Sequence, residues 1–206
     1  MEEAMAGRPP ADLDLILSEL PAALTREQAL RLGLTRAGLA RLLRESRLER
    51  FGRGMLMRPD LTSAADLDLI EARLRDPSAT LCLSSALAHH QLTDEIPSSN
   101  HLAIPRGNHL PTSPKSATWH LYDPSTFELG RESIELTKDL RMGLYSAERS
   151  IIDAFNPRLG DADDLATEAL KRWLRTPGSQ PSQLLSMARA WPHALAPLTR
   201  TLQVLL

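Results

Sequence analysis

The chain has a single cysteine, no apolar run long enough to cross a membrane, and no lysine in its most basic segment. Cys82 is alone among 206 residues, which excludes an internal disulfide and any zinc site built on several cysteines. The longest apolar runs, such as residues 202–206, fall far short of the roughly 20 residues of a membrane helix. Residues 1–5 are acidic and no apolar stretch follows a basic one, so we expect no secretory signal and a cytoplasmic protein.

The charges are unevenly placed along a chain of otherwise ordinary composition. With 42% hydrophobic residues the chain can bury a core and is not disordered throughout. Residues 25–58 contain nine arginines, no lysine and three acidic residues, a net charge of +6, whereas the whole chain carries −2, so the rest sums to −8. A basic segment joined to an acidic body predicts that only this segment meets a polyanion. A solvated charged surface is the alternative.

Two capping residues predict a pair of helices joined by a tight turn. Thr25, followed three residues later by Gln28, has the pattern of a capping box that opens a helix. Gly33 ends this helix, and Thr35 is the N-cap of the next one, which extends to about residue 46. The sequence therefore predicts a helix-turn-helix.

A glycine-flanked hairpin predicts that this helix-turn-helix carries a wing. Residues 13–20 predict a preceding helix, and residues 48–51 and 55–58 predict two short strands. The glycines of the segment between the strands can adopt the positive φ of a tight turn. We therefore expect a winged helix-turn-helix DNA-binding domain over residues 1–60.

The body, residues 61–206, mixes strands and helices after a predicted linker at 59–66. Strands are predicted at residues 79–83, 101–104 and 117–122, with weaker candidates at 127–129, 133–137 and 143–145. Helices are predicted at residues 65–74, from Ser84 or Ser85 to 92, and at 147–155, 161–174, 182–191 and 193–206. The predicted fold class is α+β: a winged helix-turn-helix, then a mixed α/β body with a small sheet that ends in a helical C-terminal region.

The arginines suit the way a helix-turn-helix docks on DNA. Its second helix enters the major groove by the N-terminal end, while the first helix and the wing contact the backbone. Arg36 stands at that N-terminus, where it can read a base edge, and Arg41 and Arg44 lie one turn apart on one edge of the groove. Arg53 at the hairpin tip can enter a minor groove or hold a phosphate. The predicted DNA-binding residues are Arg26, Thr35, Arg36, Arg41, Arg44, Arg47, Arg50, Arg53 and Arg58.

A basic loop in the body is a candidate second DNA contact. Arg106, His109 and Lys115 lie in or beside the loop of residues 105–114 and could add a phosphate contact. An exposed loop that contacts no nucleic acid is the alternative.

Four ordered motifs carry a resemblance to a known family. Residues 24–36 together with 48–56 resemble the N-terminal winged helix of AbiEi-type antitoxins. Residues 83–97 resemble the second motif of that family, residues 101–107 the third, and residues 145–153 the fourth, which opens the C-terminal helices. Four ordered motifs are more specific than a winged helix alone.

The resemblance implies a function in a toxin-antitoxin system. Such proteins repress their own two-gene operon by binding inverted repeats upstream of it, and the C-terminal domain counters a nucleotidyltransferase toxin. In many of them the antitoxic role needs no stable complex with the toxin, so direct binding of the toxin stays open here. The resemblance implies no catalytic residue and no cofactor.

Three residue groups suggest chemistry and are set aside. His89 and His90 point about 100° apart on a helix, so with Asp94 they do not share a metal ion. Ser84 and Ser85 resemble a nucleophile beside His89, but a serine before a helix is typically an N-cap. Asp123, Glu135 and Lys138 invite comparison with restriction-type nucleases; a carboxylate and a lysine three apart in a strand, however, face opposite sides.

Three hypotheses of function follow from these residues. The first is a DNA-binding antitoxin and autorepressor. The second is an interaction module that neutralises a toxin by contact, and the third is a Mg²⁺-dependent nuclease. Only the first explains where the arginines lie.

Overall fold

A computed structural model describes residues 13–59, 66–157 and 163–206. The predicted fold class is confirmed: across these ranges the chain is mixed α+β, with nine helices and two sheets, a helical N-terminal region and helices at the C-terminus. The chain divides into two compact units, one of Met1–Ile70 with Leu136–Leu140 and one of Glu71–Glu135 with Arg141–Leu206. Most of the predicted linker, residues 60–65, lies outside the described residues.

The first unit contains a winged helix. Its elements are α1 Leu13–Glu19, β1 Ala23–Thr25, α2 Arg26–Arg31, α3 Arg36–Arg44, β2 Glu49–Gly52 and β3 Met55–Met57. The three strands form an antiparallel sheet in the order β1-β3-β2. The sequence predicted the β2-β3 hairpin but missed β1, which pairs with β3 across Leu24 and Leu56. In this arrangement α3 is the second helix of the helix-turn-helix and the β2-β3 hairpin is the wing.

The two predicted N-caps are confirmed. The Thr25 hydroxyl accepts a hydrogen bond from the Gln28 amide at 3.1 Å, and the Gln28 side chain accepts one from the Thr25 amide at 2.7 Å. The Thr35 hydroxyl accepts from the Gly38 amide at 3.0 Å. Gly33, between the two helices, has a φ of 101°, which favours glycine. These contacts satisfy amides at helix starts and fix the turn before α3.

Eight leucines and one alanine form the core of the first unit. The buried members are Leu17, Leu20, Leu24, Ala29, Leu34, Leu39, Leu42, Leu48 and Leu56. Leu39 and Leu42 come from one side of α3 and are at most 4% exposed. Burying a leucine side chain contributes about 1.5 to 3 kcal/mol, so this side of α3 is fixed inward and the opposite side faces out.

The rest of the chain forms a five-stranded sheet with helices. Its helices are α4 Leu67–Arg75, α5 Leu83–His89, α6 Ala147–Ala154, α7 Asp163–Leu174, α8 Pro181–Ala188 and α9 Pro192–Leu205. Its strands are β4 Thr80–Leu81, β5 Asn100–Pro105, β6 Ala117–Tyr122, β7 Arg131–Thr137 and β8 Leu140–Tyr145, in the order β6-β5-β4-β8-β7. β5 runs parallel to β6 and antiparallel to β4, which runs parallel to β8.

Two local predictions for the second unit are wrong. Residues 127–129 form turns and no strand, and Phe127 is buried with its carbonyl accepting a hydrogen bond from the Tyr145 hydroxyl at 3.0 Å. Neither Ser84 nor Ser85 is an N-cap, because α5 begins at Leu83 after Cys82. The Ser85 hydroxyl instead accepts from the His101 amide at 2.9 Å and so fastens α5 to β5.

The C-terminal helices pack around a second apolar core. It contains Leu170 and Trp173 of α7, Leu184 of α8 and Leu198 of α9. Pro181 and Pro192 occupy the first turns of α8 and α9, where a proline costs no helical hydrogen bond. In the described parts of the chain, no helix is long and apolar enough to cross a membrane.

A buried ion pair stands between this core and the sheet. Arg149 of α6 is fully buried, and its Nε donates to Oδ1 of Asp153 at 2.9 Å. Its Nη1 donates to the carbonyls of Thr126 at 2.8 Å and Leu129 at 2.7 Å. Three aromatic rings lie within 5.5 Å of the guanidinium carbon: Tyr122, Tyr145 and Trp191.

The pH dependence of stability should report on this ion pair. Burial raises the pKa of Asp153 to about 6, because desolvation outweighs the attraction of Arg149. Since the folded state then binds a proton more tightly than the unfolded one, this carboxyl favours folding below about pH 4, and the contribution is lost as the pH rises through about 6. We expect the unfolding free energy of the wild type, relative to Asp153→Asn, to fall by roughly 2 to 3 kcal/mol between pH 4 and 7. Urea titrations at the two pH values measure it; a constant difference would contradict the raised pKa.

Candidate nucleic-acid interface

The outward side of α3 combines arginines with small residues. At 100° per residue, the buried Leu39 and Leu42 leave the opposite side of the helix for solvent. Ala37 and Ala40 lie near the middle of the exposed side, and a methyl group there lets the helix backbone approach a surface closely. The exposed arginines of α3 are Arg36, Arg41 and Arg44.

A groove of about 420 Å³ separates α3 from the wing. We name it the wing groove. Its walls include Ala40 and Leu43 of α3 and the hairpin around Gly54. Four arginines line it: Arg26 of α2, Arg36 of α3, Arg50 of β2 and Arg53 of the hairpin turn. All four are exposed, so their charges are accessible to a ligand in the groove.

A second groove, of about 590 Å³, lies on the α1 side of α3. We name it the α1 groove. Its walls include Leu13 and Ile16 of α1 and Ala37 of α3. The basic residues that line it are Arg41, Arg44 and Arg47, and Thr35 lines it as well. Arginine-lined grooves thus flank α3 on both sides.

The two grooves differ in how far their arginines are neutralised. Arg41 Nε donates to Glu45 at 2.7 Å, which raises the pKa of Arg41, and Arg47 pairs with Asp14 at 2.6 Å. Glu45 also lies 4.0 Å from Arg47. By contrast, across the described residues no ion pair or side-chain hydrogen bond involves the other exposed arginines Arg26, Arg36, Arg44 and Arg50. Three arginines of the wing groove and one of the α1 groove are therefore without an ion pair in the described part of the chain.

Two of the predicted DNA-binding residues have structural contacts. Arg58 lines neither groove; its Nη1 donates to the carbonyls of Leu17 at 2.9 Å and Leu20 at 3.4 Å, so it holds the end of α1. Thr35 uses its hydroxyl to cap α3. We leave Arg58 out of the candidate interface and give Thr35 a positioning role.

The three residues predicted as a second DNA contact do not line one cavity together. Arg106, His109 and Lys115 are all exposed. Arg106, directly after β5, lines a cavity of the second unit, whereas His109 and Lys115 do not line it. The role of these three residues in binding DNA stays a prediction.

His89, His90 and Asp94, which the sequence analysis rejected as a metal site, have other surroundings in the fold. His90 Nε2 lies 2.8 Å from the carbonyl oxygen of Tyr145, and Asp94 pairs with Arg172. Desolvation lowers the pKa of His89, and the neighbouring His90 adds to this effect. Residues 13–59, 66–157 and 163–206 contain no group of three or more metal-ligating side chains.

The three residues of the nuclease hypothesis lie on different elements: the turn after β6, strand β7 and the turn after β7. Asp123 accepts hydrogen bonds from the Ser125 amide and hydroxyl at 2.9 and 2.7 Å, and these bonds lower its pKa. Glu135 lies on β7 and pairs with Arg141 at 3.7 Å. Lys138 is exposed in the turn after β7. Each carboxylate therefore has a partner of its own.

Sequence reasoning missed the acidic residues of the interface. Glu45 stands four residues after Arg41, a spacing that predicts an ion pair on a helix. Nothing in the sequence links Asp14 to Arg47, because their contact depends on how α1 packs against α3.

Comparison with known proteins gives one distant structural likeness to report. No protein-family model and no curated protein matches the chain. The chain is similar to the crystal structure of the RV2827C protein from Mycobacterium tuberculosis, with 17% identity and a TM-score of 0.48 over 94% of this chain and 78% of that chain. A likeness at this level carries no argument about function.

Proposed function

We propose that the chain is a DNA-binding antitoxin that represses its own operon, acting in the cytoplasm and without catalysis. The observation that carries the DNA-binding part is the position of α3 between the two arginine-lined grooves. The antitoxin part is supported by the sequence motifs of residues 83–97, 101–107 and 145–153. The proposed partners are inverted repeats in the operator and a nucleotidyltransferase-like toxin.

The two grooves fit the layout of B-DNA around a recognition helix. A helix in the major groove, which is about 12 Å wide, has a phosphate backbone on each side. Arg26, Arg50 and Arg53 would contact the backbone on the wing side. Arg44 and Arg47 would contact the backbone on the other side. Phosphate contacts of this kind fix the register of the protein on the duplex.

In this proposal the residues at the start of α3 contact the bases. Arg36 is the first residue of the helix, exposed and without an ion pair in the described part of the chain, so its guanidinium can donate two hydrogen bonds to a guanine. Ala37 and Ala40 would let the helix lie close to the bases. Arg41 can contact DNA only by leaving Glu45; such an exposed pair is weak and is easily exchanged for a phosphate.

Glu45→Gln should raise the affinity for DNA. The change frees Arg41, and also Arg47 from an acid 4.0 Å away, and it removes a carboxylate that repels phosphate. We expect about three- to tenfold tighter binding at low salt, with the gain shrinking as salt rises. Fluorescence anisotropy with a labelled duplex measures it. Glu27→Gln, which frees Arg31 outside both grooves, is the matched control; an equal gain there would contradict the assignment.

A reporter placed behind the upstream region of the gene tests autorepression. Expression of the chain should lower reporter output, and Arg36→Ala should restore it. Arg31→Ala, an exposed arginine that lines neither groove, should leave repression unchanged. Repression that survives Arg36→Ala, or that responds equally to both variants, would contradict the proposal.

Co-expression tests the antitoxin part separately. If a neighbouring gene encodes a toxin, the chain should restore the growth of cells that express it. We expect Arg36→Ala to abolish repression. If this variant, expressed from an unrelated promoter, still restores growth, the antitoxic activity belongs to the second unit. Failure of the wild type to rescue would remove the antitoxin role and leave the DNA-binding role standing.

A further inference from the structure

A cavity in the second unit has features that DNA binding does not use. It measures about 430 Å³, within the range of small-molecule sites. Its walls come from the ends of β5 and β6, the turn after β6, α6 and the start of α9. The residues that line it include the polar Arg106, Ser125, Arg149, Asn156 and His193 beside the apolar Leu121, Tyr122 and Trp191.

The guanidinium of Arg149 has donor capacity left over at this cavity. Nε is bonded to Asp153 and Nη1 to two carbonyl oxygens, whereas none of the hydrogen bonds of the described residues involves Nη2. The Arg149 side chain is only 1% exposed, and Nη2 is not among the buried polar atoms that lack a partner, so Nη2 is the part of the guanidinium that the cavity reaches. A hydrogen bond from a charged donor is stronger than one between neutral groups, so an anionic acceptor in the cavity would bind well to Nη2.

The other charges around the cavity favour an anion. Arg106 forms no ion pair or side-chain hydrogen bond across the described residues, and His193 stands at the second position of α9. The first turn of α9 has no side-chain cap; Pro192 has no N–H and the Ala194 amide donates to the Trp191 carbonyl at 2.9 Å, so the His193 amide and the helix dipole add the positive field. The wall also contains the carboxylate of Asp123, which accepts hydrogen bonds from Ser125 and interacts electrostatically with Arg106, so the positive charges of the wall outnumber this one negative charge.

From this arrangement we propose that the cavity binds a small anionic molecule. Its phosphate or carboxylate group lies between Arg106, His193 and Nη2 of Arg149, and its apolar part packs against Trp191 and Leu121. Because Arg149 also holds the turn at Thr126 and Leu129, an occupied cavity stabilises that turn and α6 together. Arg106 thus serves this cavity, in place of the second DNA contact expected from the sequence.

Calorimetry with the full chain tests the site. Inorganic phosphate and then acetate are titrated at a constant ionic strength set by chloride, which separates a phosphate-selective from a carboxylate-selective site. We expect saturable binding of at least one anion, weakened about tenfold in Arg106→Gln, because a charge-assisted hydrogen bond is lost. Arg175→Gln, an exposed arginine outside the cavity, is the matched control and should bind like the wild type. Both residues are exposed, so neither variant depends on refolding a core.

Three results would overturn the site. One is the absence of saturable binding of either anion, and another is equal affinity in Arg106→Gln and Arg175→Gln. The third is phosphate binding that is lost in an Arg36→Ala/Arg50→Ala variant and kept in Arg106→Gln, since this would place the anion in the wing groove. DNA binding measured on Arg106→Gln should remain that of the wild type, so the two proposals can fail independently.

Discussion

Replacing Arg26, Arg36 and Arg50 together with alanine is expected to lower the affinity for operator DNA by about a thousandfold. All three line the wing groove, and none forms an ion pair in the described part of the chain, so each is available to DNA. An arginine contact to DNA contributes about 1 to 3 kcal/mol. The slope of log affinity against log salt should also become shallower by roughly two, because about 0.9 is lost for each of the phosphate contacts of Arg26 and Arg50. Anisotropy titrations at several salt concentrations measure both quantities.

A second triple variant separates contact from total charge. Arg31, Arg175 and Arg200 are exposed arginines that line neither groove, and replacing them with alanine changes the net charge by the same amount. We expect this variant to keep most of the affinity. If the two triple variants lose affinity equally, DNA binding depends on overall charge alone and the grooves have no special role.

Removing Arg149 is expected to cause the largest loss of stability of any single substitution considered. Arg149→Ala leaves Asp153 buried without its partner, which costs about 3 to 5 kcal/mol, and leaves the carbonyls of Thr126 and Leu129 without their donor. Arg149→Lys should restore little of the lost unfolding free energy. One ammonium group cannot bond acceptors on different sides, as the planar guanidinium does. Urea unfolding followed by circular dichroism measures the change.

A double variant shows whether the cost comes from an unpaired charge. Arg149→Met combined with Asp153→Asn removes both charges, and we expect it to be more stable than Arg149→Met alone. If the two substitutions destabilise additively, the carboxylate of Asp153 is not the source of the cost. The fold of the first unit should be retained in all of these variants, because its leucine core is separate.

The sequence was sufficient for features that depend on local chemistry. Thr25 and Thr35 act as N-caps because a hydroxyl near the start of a helix bonds an amide two or three residues on, wherever the helix lies. Leu39 and Leu42 follow the period of a helix and are buried. Such patterns predicted the winged helix, most strands of the body and its C-terminal helices.

Features that depend on long-range packing were missed or wrong. β1 has three residues, too few for a periodic pattern, and it exists because Leu24 pairs opposite Leu56. Phe127 looked like a strand residue because it is apolar, but it is buried in a turn that Arg149 and Tyr145 hold through carbonyl groups. Ser85 looked like a cap, and its hydroxyl is used by β5 instead.

In the candidate interface too, the local features could be predicted from the sequence and those that depend on long-range packing could not. The arginine-rich segment and the order of its helices could be predicted from the sequence. The ion pair between Arg41 and Glu45 was predictable too, because the two residues are four apart on a helix. Which arginines share a groove could not be predicted, because that depends on how α1, α2 and the hairpin pack around α3. Arg58 shows this most clearly: its charge fits the basic segment, while its contacts belong to the end of α1.

The most direct test of the central claim is equilibrium binding of the purified chain to the duplex upstream of its own gene and to a shuffled duplex of equal length, each titrated in salt. An autorepressor should bind the upstream duplex more tightly, its affinity should fall steeply as salt rises, and Arg36→Ala should lose the preference. Equal and weak binding of both duplexes by the wild type would contradict it.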